Sequence, residues 1–321
     1  MTKDDKLNKD EKLNILVSKL INNKKKSASQ KAKVIAEKCE QEVLPLDDEL
    51  PPLPTMRDDY GSMPVVMAVA KLFHSHRVNR SVTINNKLIG NYKGKNLHYI
   101  HGERLTYQDE ELLMALFLIY SRTHTPFKKN EHVKIRISDL RDFLGLSKGG
   151  KNDEKIYSRL EVMKASTFGL SSIDFDPSKS QGERQTFNFL SFLRYERGEI
   201  EYALDPIWSQ IFSEFPITEI NIETRMQLSP HARVIHRLLS TSSNTKQSLP
   251  ESRLLMFIGW EGPRIHDFWY AMRDASQELK DLGIVRNFTI FKSPTGERVI
   301  SYVVDQAKLK PNMGLPKPKK K

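Results

Sequence analysis

The strongest constraint on this chain is a short pattern that it uses twice. "FLGL" at Phe143–Leu146 and "FIGW" at Phe257–Trp260 lie 114 residues apart. Each follows an amphipathic stretch, and each is followed by a few turn residues and a second amphipathic stretch. A glycine at that point lets a helix end in the left-handed backbone region, so that the chain turns sharply. The phenylalanine and its aliphatic neighbour then pack inward, and the following helix crosses over the one before it. A chain that repeats this pattern together with its flanks is expected to build the same helix-turn-helix unit twice.

The flanks support that expectation. "TYQDEELLMALFLIYSR" opens with Thr106 and a cluster of acids and continues with Leu112, Leu113, Leu116, Phe117 and Tyr120 at helical spacing. "EHVKIRI" alternates like a strand, and "SDLRDFLGL" reads as a short helix with Ser138 at its N-cap. After the turn "SKGGKN", a helix with Ile156, Leu160 and Met163 on one face leads to a hairpin centred on Gly198. The second copy opens at "LSPHARVIHRLLS", with Ser229 as cap and Pro230 at the first helical position. "SLPESRLLMFIGW" is expected to be its middle helix. "RIHDFWYAMRDASQELKDLG" is the third, with Ile265, Phe268, Met272, Ala275, Leu279 and Leu282 on its buried stripe, bordered by Trp269. An alternating hairpin that turns at "SPTG" follows. Helix, helix, turn, helix and hairpin is the order of a winged helix.

The expected fold class is α+β: tandem winged-helix domains with disordered basic tails. The expected boundaries are a basic arm at 1–40, an acidic proline-rich linker at 41–62, a first winged-helix domain at 63–205, a second at 206–307, and a lysine-rich tail at 308–321. Charge follows this division. The formal net charge is +11. Residues 1–40 carry 11 Lys against 6 acids, and residues 308–321 carry 6 Lys and no acid, so residues 41–307 sum to zero. The overall basicity therefore describes the tails, and a DNA-binding face on the body has to be sought locally. The one cysteine, Cys39, excludes an intrachain disulfide and fits a reducing compartment. No apolar run approaches 18 residues and no secretory leader is evident, so the chain is expected to be cytoplasmic and to have no membrane partner.

On the third helix of the second copy, Arg264, His266, Asp267, Tyr270, Arg273, Asp274 and Gln277 fall outside the apolar stripe. Arginine in the first turn is placed to meet base edges, Arg273 and Gln277 to meet bases or phosphates, and Asp267 to accept from a cytosine amino group. A solvated face of mixed charge is the plainer reading of the same residues. Lys292 and Arg298 flank the wing turn as phosphate contacts. In the first copy, Lys148 and Lys151 lie around the turn, and Lys155 and Arg159 lie on the third helix, although Glu154 and Glu161 share that exposed side. The first copy thus reads as a phosphate holder and the second as the base reader.

Catalytic patterns are incomplete. "GLSKGGKN" at 145–152 fits G-x-x-x-x-G-K, but Asn152 stands where a phosphate loop needs Ser or Thr, and a helix precedes it instead of a strand. "HSH" at 74–76 is similar to the paired metal-binding histidines of rolling-circle nicking enzymes, with Tyr157 as the nominal nucleophile, yet Ser75 replaces the bulky apolar residue between the histidines. The expectation is a protein that is not an enzyme and needs no cofactor or metal.

"EVLPL", "YQDEELL", "LSKGGKNDEKIYSRL" and above all "LSPHAR…RLLMFIGWEGPRIHDFWYAM…ELKDLGIV" resemble the iteron-binding plasmid replication initiators of the TrfA type, over roughly residues 42–305. The resemblance implies binding to direct repeats in double-stranded origin DNA, melting of adjacent DNA, and contact with the host replicative helicase and chromosomal initiator. It also implies a homodimer, held through the first domain, in equilibrium with monomer. It places Arg264 and Arg273 in the second recognition helix, and Lys151, Lys155 and Arg159 in the first. "QEVLPL" is similar to the sliding-clamp binding peptide, with Gln41, Leu44 and Leu46 as its anchors. Glu42 stands where an apolar residue is usual, so a plain linker remains an alternative. A tandem winged-helix repressor and a nicking enzyme are the competing functions.

Overall fold

A computed structural model describes residue 53 and residues 60–75, 83–92, 94–123, 131–176 and 181–309. The basic arm, most of the linker, the clamp-like peptide and all but the first two residues of the lysine-rich tail lie outside the described residues. In chain order the elements before the first repeat are β1 (Tyr60–Pro64), α1 (Val65–Ala68), β2 (Phe73–His74), β3 (Thr83–Tyr92), β4 (Lys95–Glu103) and β5 (Leu105–Thr106). The first copy is α2 (Tyr107–Thr123), β6 (Val133–Arg136), α3 (Ile137–Phe143) and α4 (Gly150–Ala165). It is then interrupted by β7 (Thr167–Ser172) and β8 (Arg184–Asn188), and it resumes as the hairpin of β9 (Leu190–Glu196) and β10 (Glu199–Leu204). Next come α5 (Ile207–Glu214), β11 (Ile217–Asn221) and α6 (Ile222–Met226). The second copy is α7 (Pro230–Ser240), β12 (Lys246–Pro250), α8 (Glu251–Ile258), α9 (Ile265–Asp281), β13 (Val285–Lys292) and β14 (Arg298–Val304), followed by α10 (Gln306–Leu309).

The two copies share more than element order. The small antiparallel sheets run β6-β10-β9 and β12-β14-β13. In each, the strand between the first and middle helices joins the second strand of the hairpin. The insertion in the first copy does not disturb this, because β7 and β8 leave to extend β3 and β4 into a four-stranded antiparallel sheet, β3-β4-β7-β8. The fold is α+β, as expected.

Both pattern glycines adopt the left-handed backbone, Gly145 at φ +63° and Gly259 at φ +68°. Leu146 N–H donates to the Arg141 carbonyl, and Trp260 N–H donates to the Leu255 carbonyl, each 3.0–3.3 Å long. These bonds satisfy carbonyls left open at the helix end. Trp260 then lies edge-on to Phe268 of α9 with centroids 5.6 Å apart, which fixes the crossing helix on the turn.

Three local expectations change. Ser138 is not a cap: α3 begins at Ile137 behind Arg136, and the Ser138 hydroxyl meets Asp139 instead. "KQSLP" is strand β12, and α8 starts only after Pro250, which cannot donate to a preceding turn. Ile265 is 40 % exposed, because it sits at the open start of α9, ahead of the point where the helix meets its core.

One apolar cluster spans α2, α4 and the strands before residue 205, and it also takes in Trp208, Ile211, Phe212, Phe215 and Ile220, which sequence assigned to the second domain. Trp208 stands at its centre. Its ring meets Phe117, Phe187 and Phe189, and its Nε1 donates to the Asn188 and Phe189 carbonyls, each at 3.1 Å. Strand β11 pairs with β1, and this brings residues 217–221 back beside residues 60–64. A second cluster runs from Leu228 to Leu309.

Candidate nucleic-acid interface

The third helix of the second copy, α9, buries Phe268, Trp269, Met272, Ala275, Ser276 and Leu279 and turns its other side to solvent. Arg264, His266, Asp267, Tyr270, Arg273 and Gln277 are all exposed, and Tyr270 is 63 % accessible. Gln277 Nε2 donates to Asp281 at 2.7 Å, which holds it along the helix. The sheet hairpin brings further residues alongside. His266, Trp269, Tyr270, Arg273, Ile290 and Arg298 line one depression of about 310 Å³ between α9 and the hairpin. Helix and hairpin residues 17 to 32 positions apart in sequence therefore share a single surface. Arg298 lies over the Trp269 ring, 5.6 Å from its centroid. Trp269 Nε1 in turn donates to Glu251 at 2.5 Å. Lys292 is exposed at the end of β13.

In the first copy Lys148, Lys151 and Lys155 are exposed around the turn and along α4. Arg159 has another role. Its Nη1 meets Asp109 at 2.9 Å and Thr106 at 3.2 Å, and its Nη2 bonds Gln108. Asp109 also accepts from Thr106 N–H and hydroxyl, at 2.7 and 2.8 Å. Arg159 thus ties α4 to the start of α2 and is not presented to a phosphate. Arg141 plays a similar part between α3 and α4 through Asp153 at 2.9 Å. Asn152, at the position where a phosphate loop needs a hydroxyl, closes the turn by donating to the Ser147 carbonyl at 2.8 Å.

The "HSH" segment supports the second turn. Ser75 N–H and hydroxyl both meet the Ile258 carbonyl, at 3.1 and 3.0 Å, and the His231 ring lies 2.7 Å from the same hydroxyl. His74 packs on Gly259 so closely that a Cβ there would clash with its Nδ1 and Cγ. Burial, reinforced by Arg104, Arg237 and Lys87, lowers His74 to about 4, so it stays neutral near pH 7. Arg104 also pairs with Glu261 in the turn itself. His76 lies outside the described residues.

The sequence reading missed a buried ionic cluster. Glu110 on α2 takes Arg237 at 2.7 Å and Arg225 at 2.9 Å, and all three are at most 1 % exposed. Glu111 takes Arg233 at 2.6 Å and Arg225 at 3.3 Å. The cluster joins the first helices of the two copies. No local signal marked it: Glu110 and Glu111 precede the apolar run of α2, where acids at a helix start are ordinary.

No family model matches the chain, and no curated protein matches it. Among solved structures it is similar to domains 2–3 of RctB (residues 155–483), at 11 % identity and TM-score 0.50, over 76 % of this chain and 98 % of that one. A selenomethionine form of the same two RctB domains aligns over 81 % of this chain and 96 % of that one, at 13 % identity and TM-score 0.47. At this identity the likeness is one of fold. The chain shares the α+β fold of RctB domains 2–3.

Proposed function

We propose that the protein is a replication initiator that binds double-stranded DNA in a sequence-specific way through two winged helices. The observation that carries this is an exposed row formed by Arg264, the residue that precedes α9, and His266, Asp267, Tyr270 and Arg273 on it, all free of the core beside a hairpin that contributes Arg298. A helix of this kind offers its first turns to base edges in the major groove, and the hairpin rests on the backbone. The duplicated topology supports a reader that addresses repeated sites. The fold shared with domains 2–3 of RctB, a replication initiator, supports the same role. In this reading Lys148, Lys151 and Lys155 hold phosphates for the first copy, and origin direct repeats, the replicative helicase and the chromosomal initiator are the partners.

Selection of duplexes from a random-sequence library by the full-length protein tests the reading. The expected outcome is a defined motif, lost in Arg264→Ala. Permanganate reactivity of an A·T-rich tract beside tandem copies of that motif should then rise on binding. Enrichment of no motif would sink the proposal, and binding without permanganate reactivity would favour a repressor.

A further inference from the structure

The depression between α9 and the hairpin has a chemistry of its own. Two of its six lining residues are arginines, Arg273 from the helix and Arg298 from β14, and none is acidic. Nearby carboxylates are engaged elsewhere: Glu251 accepts from Trp269 Nε1, and Glu297 accepts from Ser252 N–H at 2.8 Å. Among the described residues no carboxylate pairs with Arg273 or Arg298. A guanidinium without a carboxylate, facing another across an open recess with Tyr270 and His266 at the rim, suits an oxyanion with several acceptor oxygens. Arg298 is also oriented in advance. The Trp269 ring lies beneath it, and Glu251 fixes that ring by its indole N–H, which reduces the ordering cost when an anion arrives.

Resting on the proposed DNA-binding role, the geometry points to this recess as a seat for a single backbone phosphate of the bound duplex, clamped by Arg273 and Arg298, with Trp269 as the positioning residue for Arg298. Arg273 then belongs to the backbone contacts, and sequence discrimination falls to Arg264, His266 and Asp267 at the first turns of α9. Phosphate contacts hold register on the duplex without carrying base information.

The test uses the full-length protein, a duplex it selects from a random library, and a scrambled duplex of the same composition, titrated by anisotropy between about 50 and about 200 mM salt. Arg273→Gln and Arg298→Gln keep the side-chain stems and remove the charge. Each should weaken both duplexes by the same factor and reduce the slope of log affinity against log salt, by no more than about 0.9, the value for one released phosphate contact, singly or together. Trp269→Leu should reproduce the slope change of Arg298→Gln although Arg298 is present, and Trp269→Phe, which keeps a ring but loses the bond to Glu251, should restore part of it. An unchanged slope in both arginine variants overturns the seat, and so does a loss confined to the selected duplex, which would mark base contacts. Inorganic phosphate or ATP that raises the wild-type melting temperature but not that of Arg298→Gln, with DNA slopes unchanged, overturns it in favour of a free phosphate ligand. If the wild type selects no duplex, the DNA-binding proposal fails with it, a result distinct from selective binding with unaltered slopes.

Discussion

Gly145 and Gly259 end the middle helices of the two copies with nearly the same backbone angles, but their surroundings differ. A Cβ at Gly145 would meet the Cε of Met226 at 2.7 Å, the far end of a flexible side chain. A Cβ at Gly259 would clash with Nδ1, Cγ and Cβ of His74, a ring rather than a flexible chain end, whose neighbour Ser75 is tied to the Ile258 carbonyl. Gly145→Ala should therefore cost little more than the left-handed conformation itself, about 1–2 kcal/mol. Gly259→Ala adds displacement of His74 and should cost clearly more. Urea unfolding of both variants, and of Gly259→Ala combined with His74→Ala, measures the difference. The double variant should recover most of the excess, since the two residues are in contact and couple. Equal costs at the two glycines would show that the His74 ring moves aside freely.

Helix α2 shows what can be read from sequence and what cannot. Its length and apolar periodicity are local properties, and they placed the helix within a residue or two. Its acids read as first-turn residues suited to the helix dipole. Asp109 does serve the start of the helix, through Thr106, but Glu110 and Glu111 are buried against arginines 114 to 127 residues away. No periodicity reveals such pairing, because it depends on how the two copies dock. The exposed row of α9 was legible for the opposite reason: a helix with one apolar stripe must turn its remaining side outward. The recess beside it was not, since it depends on where the hairpin returns. Arg159 was misplaced because an exposed-looking arginine at helical spacing carries no mark of a partner on another helix. The buried cluster gives an element-scale prediction. Glu110→Ala leaves Arg225 and Arg237 without their shared carboxylate at nearly zero exposure, and it should destabilise the protein by about 3–5 kcal/mol. Denaturant titration checks this, and a loss below about 1 kcal/mol would mean that water reaches the arginines once the carboxylate is gone.

For the whole molecule, the same contacts argue that the two copies do not unfold separately. The described residues, 53 to 309, belong to one compact unit. Within it, Ser75 and His74 support the turn of the second copy, and the first helices share buried charges. Calorimetry should show one transition, with calorimetric and van't Hoff enthalpies equal, and two resolved peaks would refute the coupling. That transition should also depend on pH in a defined direction. His236 on α7 is fully buried, neither ring nitrogen has a hydrogen-bond partner among the described residues, and burial, with Arg225 adding to it, lowers it to about 3. His74 is lowered to about 4. In the unfolded chain both titrate near the ordinary histidine value, about 6.5. Between these limits the unfolded chain takes up protons that the folded protein refuses. Stability is therefore complete above about pH 6.5 and falls as pH decreases through the window, by up to about 1.4 kcal/mol per pH step for each histidine. Glu111 acts in the opposite sense, because burial, only partly offset by Arg225 and Arg233, raises its carboxyl and makes the folded state the better proton acceptor there. Because the Glu111 contribution opposes that of the histidines in the same range, the share of His236 is read as the difference between the wild type and a His236 variant between about pH 5 and about pH 7. Replacing His236 by Leu should flatten the slope by nearly one histidine's share, and a slope unchanged by that substitution would place the acid sensitivity elsewhere.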